Sequence, residues 1–264
     1  MEKGYSKWRK LDNAAIAFPL VTGRNDSRVF RFYCQLKEEV DPDILQKALD
    51  QTMEKYPLFK AVLRKGLFWF YLERRDIQAV VKPEKKPPCS QLYIPDQKSL
   101  LFRVSYHRNR INFEVYHALT DGTGAMNFVT ELVQDYLILA HPEDKLPRIE
   151  LADEATPGEQ EEDSFSQYYS SDIPKDKEKK KAAVKLKGEK LVHSDMHITE
   201  MILSVKDIHQ KARSYGVSIT VLLAAMMLLG MTSAFAEATD TITVMVPPVT
   251  GTYLDDIDTW ANDF

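Results

Sequence analysis

The sequence predicts a mixed α/β fold, because strand-like and helix-like patterns alternate along its first half. Residues Val29–Leu36 alternate with the two-residue period of a strand that has one more apolar face. Asp41 and Pro42 follow as an N-cap and a first-turn proline, and they open a segment with apolar residues at helical spacing. Two further alternating runs, which begin at Leu100 and at Ile111, predict a β-hairpin. Sheet and helices are therefore expected to share one core.

Length and composition indicate a soluble globular protein with room for one large core or two smaller ones. The 264 residues are 44% hydrophobic and 28% charged, and this balance excludes fibrous and wholly disordered classes. The formal net charge is −4, so the chain has no overall basic field that would hold a nucleic-acid backbone. We therefore expect no nucleic-acid partner.

The cysteines, the N-terminus and the longest apolar run indicate in which cellular compartment the protein is expected. Cys34 and Cys89 are the two cysteines of the chain, too few for a disulfide framework or a zinc cluster, so a cytoplasmic location is expected. The first 15 residues lack the apolar core of a secretory signal. The run Ile219–Met231 covers 13 positions, whereas a membrane-spanning helix needs about 20. We expect a buried core helix there and no membrane partner.

Three regions are predicted along the chain: a complete N-terminal domain over residues 1–147, a charged linker over 148–192 and a partial second domain over 193–264. The linker carries seven acidic and no basic residues from Glu150 to Asp163, and eight lysines against three acids from Lys175 to Lys190. Charge blocks of this kind usually stay solvated, although the lysine run could instead contact an anionic group such as a phosphate.

The second domain is predicted from four elements. Strand patterns cover Met196–Leu203 and Thr241–Val246, and helical patterns cover Val205–Tyr215 and Ile219–Leu229, separated by a Gly216 stop. These elements do not close a sheet, so the second domain is expected to be incomplete.

One motif in the N-terminal domain carries residues suited to chemistry. The second hairpin strand runs into His117, Thr120, Asp121 and Gly122, an H-x-x-x-D-G string at a strand-to-turn-to-helix junction. Strand alternation places His117 on the apolar face of that strand. An imidazole there can take and return a proton near neutral pH, as a general base must. The competing interpretation is a packed, hydrogen-bonded core histidine.

Asp121 and the glycines after it form the predicted turn. The carboxylate is expected to hold the loop, either by accepting backbone N–H groups or by pairing with a buried cation, and so to fix the direction of His117. Gly122 and Gly124 are expected to adopt positive φ and to let a ligand approach the backbone closely. Their N–H groups lie at a helix start, where a developing negative charge is favoured.

The motif in its setting resembles the chloramphenicol-acetyltransferase-like superfamily, which includes plant acyltransferases, condensation domains and alcohol acetyltransferases. Bacterial alcohol acetyltransferase-type proteins resemble the chain most. The segments that carry this resemblance are Lys10–Ala15, Val29–Leu49, Tyr56–Phe59, Lys65–Glu73 and Ile111–Ala125. The resemblance implies an α/β two-layer sandwich.

The same resemblance implies direct transfer of an acyl group, acetyl above all, from acyl-CoA to an alcohol. His117 would take the proton of the attacking hydroxyl and return it to the leaving thiolate, Asp121 would be its structural support, and the N–H of Gly122 would stabilise the oxyanion. Acyl-CoA would be a co-substrate, with no bound cofactor. No metal site is expected, because His193 and His197 would lie about 13 Å apart in an extended segment.

Three departures from the superfamily pattern qualify this prediction. Tyr116 stands where condensation domains carry a first histidine, and Lys60 stands where relatives often have an arginine that pairs with the motif aspartate. Relatives also continue through a D-F-G-W-like segment that has no complete counterpart here. The chain is therefore expected to be C-terminally truncated. A non-catalytic CoA-binding or interaction module is the alternative function.

Overall fold

A computed structural model describes residues 7–23, 26–67, 69–149 and 203–234. They belong to two compact units, the first with the described residues up to 149 and the second with 203–234. The charge blocks of the predicted linker, the histidines considered as a metal pair and the predicted strand Thr241–Val246 lie outside the described residues, as does all of Met196–Leu203 except its last residue.

Two sheets and three helices build the first unit. In chain order its elements are β1 (Trp8–Lys10), α1 (Ala17–Val21), β2 (Val29–Gln35), α2 (Pro42–Lys55), β3 (Ala61–Lys65), β4 (Phe70–Arg74), β5 (Lys82–Pro83), β6 (Phe102–His107), β7 (Arg110–Tyr116) and α3 (Gly122–Ala140). The smaller sheet has the strand order β1-β4-β3 and the larger one β2-β7-β6-β5. All pairs are antiparallel except β5 with β6. The predicted α/β class is confirmed.

The helix predicted after Asp41 is confirmed as α2. The Asp41 carboxylate accepts the N–H groups of Asp43 at 2.8 Å and Ile44 at 3.0 Å, which satisfies two of the donors left free at a helix start. The helix ends just before Pro57, because a residue that precedes proline is disfavoured in helical conformation.

The predicted hairpin is confirmed as β6 and β7, whereas the pairing of β3 with β4 was not predicted. Strand β4 overlaps the segment Lys65–Glu73, which carries part of the family resemblance. Its partner β3 begins with Ala61, Val62 and Leu63, all buried. A strand that is buried on both faces shows no alternation of apolar and polar residues, so the pattern that revealed the other strands was absent here.

The apolar face of the larger sheet packs against the two long helices. Phe59 and Phe113 each stack on Phe128 of α3, with ring centroids 4.5 Å and 4.8 Å apart. Helix α3 also contacts α2, β2 and β7. Helices therefore form one layer and the larger sheet the other, with the main core between them.

The opposite face of the larger sheet is buried as well, and it is polar. The side chain of Glu114 is 2% exposed and is paired with Arg31 at 3.3 Å and with Arg103 at 3.0 Å. It also accepts the backbone N–H of Cys89 at 2.8 Å, which ties the loop after β5 to the sheet. Burial opposes the charge of Arg31, but its hydrogen bond and ion pair with Glu84, together with Glu114, raise the pKa of Arg31.

The second unit contains α4 (Val205–Ser214) and α5 (Ile219–Ala234). Gly216 adopts φ +65° after α4, the left-handed conformation that ends many helices. The predicted helix stop at Gly216 is therefore confirmed. The Ser218 hydroxyl accepts the N–H of Val221 at 3.3 Å and so caps the start of α5.

The prediction that the apolar run is a buried core helix is wrong for the described side chains of α5. Met226, Met227 and Leu229 are 48%, 71% and 68% exposed, because a second helix can cover only one side of a helix that is apolar all round. Within the described ranges no single helix is long and apolar enough to cross a membrane. Helices α4 and α5 reach that length and composition only as a pair bent by 87°.

We predict that Glu114→Ala destabilises the first unit far more than removal of an acidic side chain from an exposed ion pair does. Removal of Glu114 leaves two guanidinium groups in the interior without this partner, and breaking a buried pair costs about 3–5 kcal/mol. Asp26→Ala is the control, because the Asp26–Arg28 pair is exposed and such pairs contribute about 0–1 kcal/mol. Urea unfolding of both variants measures the difference. Equal losses would contradict the importance of the buried network.

Candidate functional site

A cleft of about 880 Å³ in the first unit contains the predicted motif on its wall. The residues that line it come from β1, the segment around α1, the end of α2, the motif loop, the start of α3 and residues 148–149. Of the predicted site residues, His117 and Asp121 both line this cleft. The structure thus brings them to one cavity.

His117 lies one residue beyond the end of β7 and is half-buried. Its backbone N–H donates to the Arg28 carbonyl at 2.9 Å. Its ring stacks on Phe18, with centroids 4.4 Å apart and planes within 12°, and also contacts Phe30 at 4.9 Å. Phe30 belongs to the apolar sheet face, where the sequence placed this histidine. Within the described ranges, the imidazole nitrogens have no hydrogen-bond partner, so the hydrogen-bonded core histidine considered above is not what the structure shows.

Tyr116 anchors the segment that carries Phe18. The Tyr116 hydroxyl is 2.7 Å from Thr22 Oγ1, which itself donates to the Phe18 carbonyl at 2.7 Å. A threonine hydroxyl has one proton, so Tyr116 must be the donor to Thr22. Burial raises the pKa of Tyr116 to about 12, and the phenol therefore stays protonated as this hydrogen bond requires. Tyr116, which the resemblance aligns with the first histidine of condensation domains, therefore has a structural role in this chain.

Asp121 is the N-cap of α3 and accepts the N–H of Gly124 at 2.8 Å. This is the first of the two ways in which the carboxylate was expected to hold the loop. Among the described residues no basic side chain lies within 4.0 Å of Asp121, and Lys60 instead faces Asp76 at 4.0 Å. Asp121 makes no hydrogen bond to His117 in this part of the chain. Its role as structural support of the histidine stays a prediction.

The expectation of positive φ at Gly122 and Gly124 is wrong. Both belong to α3, and of the described glycines only Gly216 has positive φ, because an aspartate N-cap lets the chain enter the helix with ordinary dihedrals. A Cβ at Gly124 would collide with the Thr120 hydroxyl, whereas a Cβ at Gly122 would meet nothing within 4 Å.

Gly122 is the first residue of α3, where the N–H has no intrahelical acceptor. It is exposed and is not among the residues that line the cleft. Its role as an oxyanion donor stays a prediction.

An ion cluster of two buried acids and two exposed cations contributes to the cleft lining. Lys55 and Arg148 each contact both Glu131 and Asp135, and Asp135 is 1% exposed. The hydrogen bond to Asp135 raises the pKa of Arg148. Sequence analysis missed this cluster, although two acids spaced i, i+4 in an apolar helix were a visible signal. The two cations balance the two anions, so the cluster has no net charge.

Arg9 and Asp12 are further cleft residues to which sequence analysis gave no role. Arg9 donates to the Leu119 carbonyl at 3.3 Å and thereby links β1 to the motif loop. Asp12 accepts the N–H of Ala15 at 2.7 Å. Asp12 lies within Lys10–Ala15, one of the segments that carry the family resemblance, and Arg9 directly precedes it. This segment was the one sequence signal for the two residues. In the described part of the chain, no three His, Cys, Asp or Glu side chains are grouped as metal ligands would be.

Comparisons with known proteins give matches at the level of solved structures. No protein-family model and no curated protein matches the chain. The starter condensation domain of rhizomide synthetase RzmA matches at 13% identity and a TM-score of 0.44, over 55% of this chain and 40% of that domain. Polyketide synthase associated protein 5 from Mycobacterium tuberculosis matches at 20% identity and a TM-score of 0.40, over 54% of this chain and 36% of that one. The tallysomycin biosynthesis protein TlmII matches at 14% identity and a TM-score of 0.41, over 49% of this chain and 38% of that one.

We predict that Gly124→Ala lowers stability through Thr120. The new methyl group forces the Thr120 hydroxyl out of its position, and overpacking of this kind costs about 1–3 kcal/mol. Gly122→Ala is the matched control, since its methyl group meets open space. Thermal unfolding should show a lower Tm for Gly124→Ala alone, and Thr120→Ala should restore it. A lower Tm that Thr120→Ala fails to rescue would contradict this explanation.

We predict an alkaline loss of stability that depends on Tyr116. Above pH 10 the unfolded phenol ionises, whereas folded Tyr116 keeps its proton up to about pH 12. The folded state then binds more protons, so stability falls with pH by at most about 1.4 kcal/mol per unit between these values. Below pH 10 this effect vanishes. Urea unfolding of the wild type and Tyr116→Phe at pH 8, 10 and 11 should show the stability difference begin to shrink at pH 10 and shrink most at pH 11. A constant difference would contradict the raised pKa.

Proposed function

We propose that the chain is an acyltransferase that moves an acyl group, acetyl above all, directly from acyl-CoA to an alcohol hydroxyl. The observation that supports it most is the His117 imidazole, which lines a cleft, is held by aromatic rings, and has no hydrogen bond to its nitrogens from the described residues. A general base needs a nitrogen within hydrogen-bond reach of a substrate proton. The acyl-CoA donor comes from the resemblance of the motif to the chloramphenicol-acetyltransferase-like superfamily.

The reaction proceeds in two proton-coupled steps at His117. As the acceptor oxygen attacks the thioester carbonyl carbon, the imidazole takes the hydroxyl proton. The tetrahedral intermediate then expels the thiolate as its C–S bond breaks, and the imidazolium returns the proton to sulfur. The products are an ester and CoA with a free thiol. With His117 as general base, the transfer needs no covalent acyl-enzyme. The backbone N–H of Gly122 is the proposed donor to the oxyanion.

The cleft lining has apolar and charged residues. The apolar ones are Ala14, Ala15, Phe18, Leu58, Phe59, Ala118 and Leu119. This apolar surface can pack against the carbon chain of an alcohol acceptor. We place this activity in the cytoplasm.

We predict that His117→Ala abolishes the release of CoA thiol with every alcohol that the wild-type chain accepts. Loss of a general base typically lowers the rate by about 10²–10⁴-fold. His107→Ala is the matched control, because His107 is an exposed histidine at the end of β6, away from the cleft lining. The assay follows free thiol over a panel of alcohols and acyl-CoA chain lengths, with folding checked by circular dichroism.

The same assay separates the two candidate functions. Full activity of a folded His117→Ala variant would overturn the assignment of the base. A wild-type chain that binds acyl-CoA in calorimetry but releases no thiol with any acceptor would support the alternative, a non-catalytic CoA-binding module.

A further inference from the structure

We infer that Phe18 is a positioning residue that fixes the plane of the His117 imidazole towards the cleft. The kinetic consequence of this inference rests on the proposed function, whereas the orientation of the ring does not. Phe18 comes from a short helix 99 positions before the histidine, and no sequence pattern connects the two residues.

The geometry of the stack supports an orienting role. The two ring planes are within 12° of parallel, with centroids 4.4 Å apart, which is an ordinary stacked arrangement of two aromatic rings. Phe30 contacts the same imidazole at an interplanar angle of 57°. Hydrogen bonds usually set the orientation of a functional histidine, but the described residues give this imidazole none. Among the described residues, the two phenylalanines are the aromatic rings that contact the imidazole and restrict rotation about its χ2.

Phe18 is itself tied to the residue that precedes His117. Its carbonyl accepts the Thr22 hydroxyl, and Thr22 accepts the Tyr116 hydroxyl. The contacts form a closed circuit through Phe18, Thr22, Tyr116 and His117, with one ring stack, two hydrogen bonds and one peptide bond. The two hydrogen bonds hold the backbone of Phe18 close to that of His117, so the two rings start from backbone positions that allow the stack.

Phe18 is half-buried and lines the cleft, which separates it from a residue that serves the core alone. Its ring contributes less buried area than that of Phe113 or Phe128, which are 1% and 0% exposed. A substitution at Phe18 should therefore change the orientation of His117 more than it changes stability.

The test compares Phe18→Leu, which keeps an apolar side chain without a ring, with Phe18→Tyr, which keeps the ring. Leu20→Ala on the same helix is the control, because Leu20 is 70% exposed. We expect Phe18→Leu to lower kcat by about 10–100-fold with KM within about twofold, since a misplaced reacting group affects the transition state. Phe18→Tyr and Leu20→Ala should retain most of the wild-type kcat.

An NMR measurement tests the stack of Phe18 on His117 without any activity. A ring stacked on the imidazole shifts its carbon-bound protons upfield, and loss of their signals in His117→Gln assigns them. Phe18→Leu should move these signals downfield, whereas Phe18→Tyr and Leu20→Ala should leave them in place. Unchanged His117 signals in folded Phe18→Leu would overturn the inference, as would a shifted signal with wild-type kcat. A wild-type chain with the expected shifts but no thiol release would overturn the proposed function alone.

Discussion

The carboxylate of Glu114, paired with Arg31 and Arg103 inside the protein, is the interaction on which the position of the central strand β7 depends. Because side chains alternate along a strand, a slip of one residue would place this charge among Phe59 and Phe128 on the opposite face. Such a slip would leave the carboxylate without its cations and would remove this ion pair from Arg31 and Arg103. The polar face therefore fixes the register of β7, and the register in turn fixes where His117 leaves the sheet.

The site is assembled from three parts of the chain that meet at the end of β7. The strand delivers His117, helix α1 contributes the ring of Phe18 against it, and α3 begins at the Asp121 cap directly after the motif. Polar contacts hold the backbone of this arrangement, whereas aromatic contacts hold the imidazole itself. This division leaves the ring nitrogens free of hydrogen bonds within the described residues, so that neither has to break one in order to meet a ligand in the cleft.

Elements whose formation depends on neighbouring residues were predictable from the sequence. The alternation in β2, β6 and β7 and the Asp41 cap of α2 were predictable, because period and capping are properties of neighbouring residues. Strand β3 was not, because burial on both faces removes the alternation. The contact of Arg9 with the Leu119 carbonyl spans 110 positions, and neither residue type nor spacing indicates it. The glycines of the motif were misread because D-G pairs usually signal turns, whereas here the aspartate caps a helix.

The hydrogen bond between Thr22 and Tyr116 joins positions that are 94 residues apart, and this separation has a consequence for the order of folding. The hairpin of β6 and β7 closes a loop of two residues, whereas the α1 contact closes one that includes most of the first unit. Contacts between distant positions form late, since chain entropy must be lost before they contribute. The cleft wall around His117 is thus expected to form after the larger sheet, so a folding intermediate with a native hairpin would still lack the stack of Phe18 on His117.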